Sequence, residues 1–262
     1  MKYILIKFIG IIFKPLQWFP HFFLKFKDIA FLYPAEHLQR TVDFIKNNYP
    51  DINKENAYII DIGCADGGTS KYFARKFPKC KVIGYEPELS SYNKAVKLCK
   101  KSANVSIKNV ALAKNSGSAS LNITANHLSS SLNKLNEPEI TKEDKIQQER
   151  FKIIETQIVN TKNLDDETAA ISGILLIKMD TQGTELDILQ GAAETLKKTR
   201  FILIELNNHH LYENTCQYYE IDALLREKRF KLMDMIVTYR SQGMVTEYDA
   251  LYQNMNYDNN CQ

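Results

Sequence analysis

Short apolar runs at residues 57–60, 81–85, 174–179 and 201–206 are too brief for ordinary helices, and each has a carboxylate at or beside its carboxyl end: Asp61, Glu86, Asp180 and Glu205. Helix-like stretches at 69–77, 90–101 and 185–196 stand between them. This alternation dictates a mainly parallel sheet with helices on both faces, because parallel neighbours require a crossover and the crossover helix covers the sheet. Open sheets of this kind gather their ligands at the carboxyl ends of the strands, where these four acids fall.

The first turn is the most informative. Residues 61–68 read DIGCADGG, and no glycine follows Gly63 by two positions, so the dinucleotide pattern G-x-G-x-x-G is not met. A nicotinamide or flavin cofactor loses ground. The turn offers backbone N–H groups and a helix N-terminus to a nucleotide-like ligand. Asp61 just ahead of Gly63 would repel a pyrophosphate and welcome an ammonium group. Glu86, about 20 residues beyond the turn, stands where a carboxylate accepts both hydroxyls of a ribose. A cofactor with an amino-acid tail and an adenosine body fits both. The plain alternative is a tight strand-to-helix turn with no ligand.

A second acid pair carries the candidate chemistry. Asp180 ends the run ILLIKM ahead of Gly183, and Glu205, Asn207, Asn208, His209 and His210 close the run 201–206. Asp180 is the candidate base, supported by Glu205 and by His209 or His210. The structural alternatives are that Asp180 caps the following helix, that Glu185 serves as its first-turn acid, and that the histidines are surface residues. Asp180 and Glu205 also suit Mg2+, with water completing the shell, and the sequence leaves metal and base both open.

Length and charge bound the rest. The chain has 262 residues, 44% hydrophobic and 25% charged, with net charge +3. This suits one large α/β domain with an added N-terminal piece, divided as 1–50 and 51–262, and does not argue for nucleic acid. Cys64, Cys80, Cys99, Cys216 and Cys261 include no C-x-x-C pair and read as reduced thiols in a cytoplasm. Residues 1–27 are basic and rich in aromatics, and Lys7, Lys14 and Pro15 break them too often for a span. They read either as an in-plane anchor on the inner face of a membrane or as a helix packed on the domain or on a second subunit of a homodimer. A helix is expected over 35–48, a third strand over 105–110, an extra strand over 118–124 and an edge strand over 151–161. Residues 126–150 are polar and without period, the pattern of a binding loop or lid, or of a solvated loop.

From DIGCADGG through GYEP, NVALAKNSGSASL, TKNLDD, LLIKMDTQGTELDILQGA and FILIELN, the order and spacing resemble the FkbM-type family of S-adenosylmethionine-dependent methyltransferases. The D-x-Q-G-x-E element of Asp180, Gln182, Gly183 and Glu185 is the most specific part. The resemblance covers residues 58–235 and leaves the first fifty outside. It implies a class I, Rossmann-like sheet and methyl transfer to a hydroxyl oxygen, commonly on a sugar of a glycan or glycolipid or on another natural product. It also implies that Asp61, Gly63 and Gly67 hold the methionine end of the cofactor, Glu86 the ribose, and Asn109 and Ala111 the surroundings of the adenine. Cys64 and Asp66 stand where such loops often carry other small or polar residues. The competing classes are another nucleotide-dependent enzyme and a membrane-associated module that keeps the fold without turnover.

Overall fold

A computed structural model describes residues 36–50, 57–141, 143, 145–208, 210–241 and 243–257. The basic, aromatic segment 1–27 and His209 lie outside the described residues. The chain divides into two compact units, Met1–Gln39 and Arg40–Gln262. Of the first, the structure describes only residues 36–39, the opening turn of helix α1 (Glu36–Asn48).

The second unit is built on a sheet of seven strands. β1 (Tyr58–Ile62), β2 (Lys81–Tyr85) and β3 (Val105–Lys108) run parallel on one side, and β7 (Ile174–Met179) and β8 (Thr199–Asn207) continue parallel on the other. β10 (Met244–Asn254) runs antiparallel between β8 and β9 (Phe230–Ser241), giving the order β3-β2-β1-β7-β8-β10-β9. The order reverses direction between β1 and β7, which makes their carboxyl ends the switch point where such sheets hold ligands. All six residues of β7 are buried, as a central parallel strand covered on both faces requires.

Right-handed crossovers place helices α2 (Gly68–Lys76) and α3 (Leu89–Cys99) on one face. From β7 the chain crosses in the opposite direction, so α7 (Glu185–Gln190) and α8 (Ala193–Lys197) cover the other. The expected single helix over 185–196 is broken at Gly191, where a Cβ would stand 2.8 Å from the carbonyl oxygen of Lys114. Helix α9 (Tyr218–Glu227) follows β8.

A smaller sheet is inserted between β3 and β7. Its strands are β4 (Ala111–Leu112), β5 (Gly117–Thr124) and β6 (Ile153–Lys162), in the order β4-β6-β5. The strand expected at an edge over 151–161 is therefore the central strand of this second sheet, with partners on both sides. The expected third strand divides as well: β3 stops at Lys108 and the chain leaves the main sheet for β4. The 126–150 insertion carries a 3-10 turn at His127–Ser129 and the short helices α4 (Glu137–Ile140) and α5 (Lys145–Phe151). Its apolar residues Leu135, Ile140 and Phe151 bury themselves with Tyr212, a cluster too sparse to show as a period in the sequence. Helix α6 (Leu164–Thr168) leads from β6 towards β7 and is capped by Asn163, whose side chain accepts from the Asp166 N–H at 2.7 Å. No described helix is long and apolar enough to cross a membrane.

Candidate active site

The turn after β1 holds three consecutive alternate residues in the left-handed region, Gly63 at φ +74°, Ala65 at +47° and Gly67 at +84°. Five of its N–H groups are paired within the fold. Those of Gly63 and Cys64 donate to the Tyr85 carbonyl, that of Gly67 to the Cys64 carbonyl, and that of Gly68 to the Asp66 side chain. The Ala65 N–H donates to Glu86 Oε2 at 2.9 Å. This narrows the expectation that the turn offers N–H donors to a ligand, since those of residues 63–65, 67 and 68 are already paired. It is no phosphate cradle, because the donors that would form one are already paired.

Gly63 is required by packing: a Cβ there would lie 1.9 Å from the carbonyl oxygen of Asp180, so the ends of β1 and β7 touch only because this side chain is missing. Gly67 rests on Ala95 of α3, with a hypothetical Cβ 3.0 Å from its Cα. Asp61 is fully buried. Its Oδ2 accepts from Ser70 Oγ at 2.6 Å, and its Oδ1 has no hydrogen-bond partner and stands 4.0 Å from Lys178 Nζ. Burial pushes its carboxyl above the ordinary range against the pull of Lys178. Glu86 Oε1 accepts from the Glu88 N–H, and burial pushes the Glu86 carboxyl up to about 7. Asn109 donates to the carbonyls of Glu86 and Pro87 and so fixes the path of the chain leaving β2.

A cavity of about 400 Å³ opens at these strand ends. Its wall includes Gly63, Ala65, Glu86 and Ala111 on one side and, from the adjoining β7 and β8 ends, Asp180 and Glu205 on the other, and residues 126–132 line it as well. Asp61, Gly67 and Asn109 stand behind the wall and support it. His210 is exposed and faces Gln217, whose Nε2 lies 2.8 Å from its Nε2, and does not line the cavity.

The second end is a network of side chains. Lys178 and Asp61 are register partners on neighbouring strands, and Lys178 Nζ donates to Asp180 Oδ2 at 3.0 Å. Burial works against the Lys178 charge, but the carboxylates of Asp180 and Asp61 outweigh it and hold the ammonium above its ordinary range. Glu205 lies directly opposite Asp249 across the β8–β10 ladder, an arrangement of two acids that favours a proton on one of them. Burial, then the nearby Asp180 carboxylate, raise the Glu205 carboxyl well above its usual range, and burial likewise pushes Asp249 up to about 7.

Gln182 ties the acids together. Its backbone is in the left-handed region at φ +56°, and its Nε2 donates to Asp180 Oδ1 at 3.2 Å and Glu205 Oε1 at 2.9 Å. Tyr212 donates to Gln182 Oε1 at 3.3 Å and to the Ser129 carbonyl at 2.7 Å. The insertion is fastened to the same loop: Ser131 Oγ donates to the Gln182 carbonyl and Asn133 Nδ2 to the Gly183 carbonyl. Glu185 is turned away from the cavity. It stands in the first turn of α7, as its structural alternative has it, and accepts from the N–H groups of Thr181 and Gly183 and from Thr181 Oγ1, so it also organises the loop.

Sequence reasoning named Gln182 only as a member of the D-x-Q-G-x-E element, without its bridging role, and missed Lys178, Tyr212 and Asp249. Lys178 had a visible signal, a charge inside the otherwise apolar run ILLIKM. Asp249 and Tyr212 had none, since their places depend on how β10 and the loop after β8 come together. Among the described residues no group of three or more His, Cys, Asp or Glu side chains is arranged to hold a metal ion. Between Asp180 and Glu205 the donor is the amide of Gln182.

Comparison with known proteins agrees with the motifs. The Methyltransferase FkbM domain matches residues 61–232. The chain is 30% identical over 176 residues to the 2-O-methyltransferase NoeI of Sinorhizobium fredii (strain NBRC 101917 / NGR234), a match spanning 62% of this chain and 68% of that protein. Among solved structures, it is similar to magnesium protoporphyrin IX methyltransferase from Synechocystis PCC 6803, at 10% identity and TM-score 0.45 over 83% of this chain and 80% of that one. It is also similar to the N-methyltransferase NodS from Bradyrhizobium japonicum WM9, at 10% identity and TM-score 0.45 over 84% and 86%. With its glycine turn, its D-x-Q-G-x-E loop and a family match across most of the second unit, the chain belongs to the FkbM family of S-adenosylmethionine-dependent methyltransferases.

Proposed function

We propose that this methyltransferase acts on a hydroxyl oxygen of a sugar, in a glycan or glycolipid, with Asp180 as the general base. The observation that carries the reading is one continuous cavity with a ribose-type carboxylate, Glu86, at one end and the Asp180–Glu205 pair at the other. The cofactor-facing end fits the group: Glu86 is an acceptor beside an apolar wall of Pro87, Ala111 and Leu112, and the turn holds no phosphate cradle. Glu86 would take the ribose, Ala111 the adenine, and Gly63 and Ala65 the methionine end, with Asp61 and Asn109 holding those residues in place. When bound, S-adenosylmethionine supplies a methyl group already activated by a sulfonium.

The chain must then orient the acceptor and remove its proton, since a sugar hydroxyl is a poor nucleophile at neutral pH. Asp180 is about one third exposed, and Lys178 Nζ donates to its Oδ2 at 3.0 Å. Glu205 and Asp249 stand opposite each other in a crowded acidic environment that raises both carboxyls. The kinship with a 2-O-methyltransferase supports transfer to oxygen. A bridging amide at Gln182 supports the base reading of Asp180 over a metal-ligand reading.

The test is calorimetry with S-adenosylmethionine and its demethylated product, followed by transfer of a labelled methyl group to a panel of oligosaccharides and of non-sugar hydroxyl compounds. Label on a sugar oxygen, unaffected by EDTA, is the expected result. Label only on non-sugar hydroxyls would move the acceptor class, and loss of activity in EDTA with recovery in Mg2+ would return Asp180 and Glu205 to the role of ligands.

A further inference from the structure

Charge is distributed unevenly along this chain. Between residues 68 and 108 stand ten lysines and arginines and two acids, Glu86 and Glu88, both buried. The whole chain carries only +3, so this stretch is strongly positive and the remainder compensates for it.

The fold gathers that charge on one surface. Helices α2 and α3 lie side by side, joined where Gly67 rests on Ala95. α3 buries Ser91, Ala95 and Cys99 at four-residue spacing, which turns Lys94, Lys97, Lys100 and Lys101 to solvent. From α2, Arg75 is exposed and Lys71 half-buried, close enough to Cys99 to act on its thiol. None of these six cations forms an ion pair among the described residues. The exposed acid beside them, Asp66, already accepts from the Gly68 N–H.

Two aliphatic side chains sit among the lysines: Leu89 is 53% and Val96 42% exposed, seven residues apart on α3 and so on one side of it. Lysines surrounding exposed aliphatics match a bilayer surface, where ammonium groups meet phosphates while short apolar side chains enter the headgroup boundary. Nucleic acid is the poorer fit. Stacking aromatics are missing from this face: Tyr72 and Tyr92 are half-buried, and Lys76 Nζ lies 5.4 Å from the Tyr72 ring centroid.

We propose that the α2–α3 flank is a docking surface for anionic lipid headgroups of a membrane. α3 begins two residues after Pro87, which lines the cavity, so docking brings the cavity within a helix length of the bilayer. The proposal is independent of the acceptor's chemistry and of Asp180.

It is tested with the full chain and vesicles of phosphatidylcholine, with and without phosphatidylglycerol, by co-sedimentation. Binding to the anionic vesicles alone, reversed by salt, is expected. Replacing Lys94, Lys97, Lys100 and Lys101 together by Gln should lower partitioning by about a hundredfold or more, at roughly fivefold per lysine, and replacing all four by Arg should restore it. Leu89→Ser with Val96→Ser should weaken binding at high salt more than at low salt. Calorimetry with the cofactor product verifies folding of each variant; if the four-Gln protein fails to fold, Lys94→Gln with Lys101→Gln is read in its place. Unchanged partitioning of the Gln variants would overturn the proposal and assign membrane binding to another segment, such as residues 1–27. Equal binding to neutral vesicles, or retention on RNA without binding to anionic vesicles, would overturn it as well.

Discussion

At the Gly63–Glu86 end of the cavity Glu86 accepts from backbone N–H groups, whereas at the other end Asp180 and Glu205 accept from side chains. A backbone scaffold has little freedom: its shape follows from where glycine allows the chain to turn and approach. A side-chain network can be altered one group at a time without moving the strands beneath it. The first kind of end suits a fixed cofactor, and the second suits an acceptor whose chemistry must be matched.

The largest expected effect comes from Gly63→Ala. The new Cβ would fall 1.9 Å from the Asp180 carbonyl oxygen in a backbone held at φ +74°. The ends of β1 and β7 must separate, which should cost about 3 kcal/mol or more of stability and abolish cofactor binding together with turnover. Denaturant unfolding and calorimetry measure both. Gly63→Ala with native stability and native affinity would show that the two ends of the cavity are not mechanically joined here.

Asp180→Asn separates the ends by function. It keeps the size of the side chain and leaves Lys178 near Asp61, so cofactor affinity should stay within about threefold while kcat falls by roughly 10²- to 10⁴-fold, the usual contribution of a general base. A comparable loss of affinity would mean that Asp180 belongs to the cofactor end.

The same contrast governs what could be read from the sequence. The turn after β1, the placement of Glu86 and the parallel sheet were legible because each depends on local pattern: an apolar run, a glycine spacing, an acid at a strand end. The Asp180–Glu205 end was legible only in its sequence-local part, those two acids. Asp249 faces Glu205 through antiparallel pairing with a strand some forty residues away, and Tyr212 meets Gln182 because the loop after β8 folds back. Such partners obey no spacing. The 126–150 segment, read as a binding loop or lid or as a solvated loop, lines the cavity with residues 126–132, but its anchoring was not legible: Leu135 and Ile140 share a small core with Phe151 and Tyr212, and Ser131 and Asn133 fasten to the backbone of residues 182–183.

Gln182 offers a finer test of the side-chain network. Gln182→Leu removes the amide that donates to both carboxylates and leaves the Tyr212 hydroxyl with its Ser129 contact alone. With Asp180 and Glu205 no longer bridged, kcat should fall by about ten- to a hundredfold, with little change in cofactor affinity, as expected for loss of positioning by about one hydrogen-bonded group. Gln182→Glu goes further in the same direction, since it replaces the donor by a third carboxylate. A rise in activity of that variant on adding Mg2+, absent in the parent, would show that the amide stands in place of a cation.

Per pH unit, the smallest effect is in pH dependence, and it distinguishes the ends most cleanly. Burial raises Glu86 from an ordinary 4.5, and Asp249 from 3.8, to about 7 each. Between those limits the folded protein binds more protons than the unfolded chain, so stability falls as pH rises towards 7 and levels off above it. Glu86→Gln and Asp249→Asn should each flatten this slope by up to about 1.4 kcal/mol per pH unit. Only Glu86 should also govern the cofactor: its affinity should rise through pH 7 as the carboxylate forms, and Glu86→Gln should remove that rise while Asp249→Asn preserves it. If Asp249→Asn flattened the affinity profile too, the acids of the two ends would titrate as one system, and the division between a backbone-built cofactor end and a side-chain-built acceptor end would hold for geometry but not for charge.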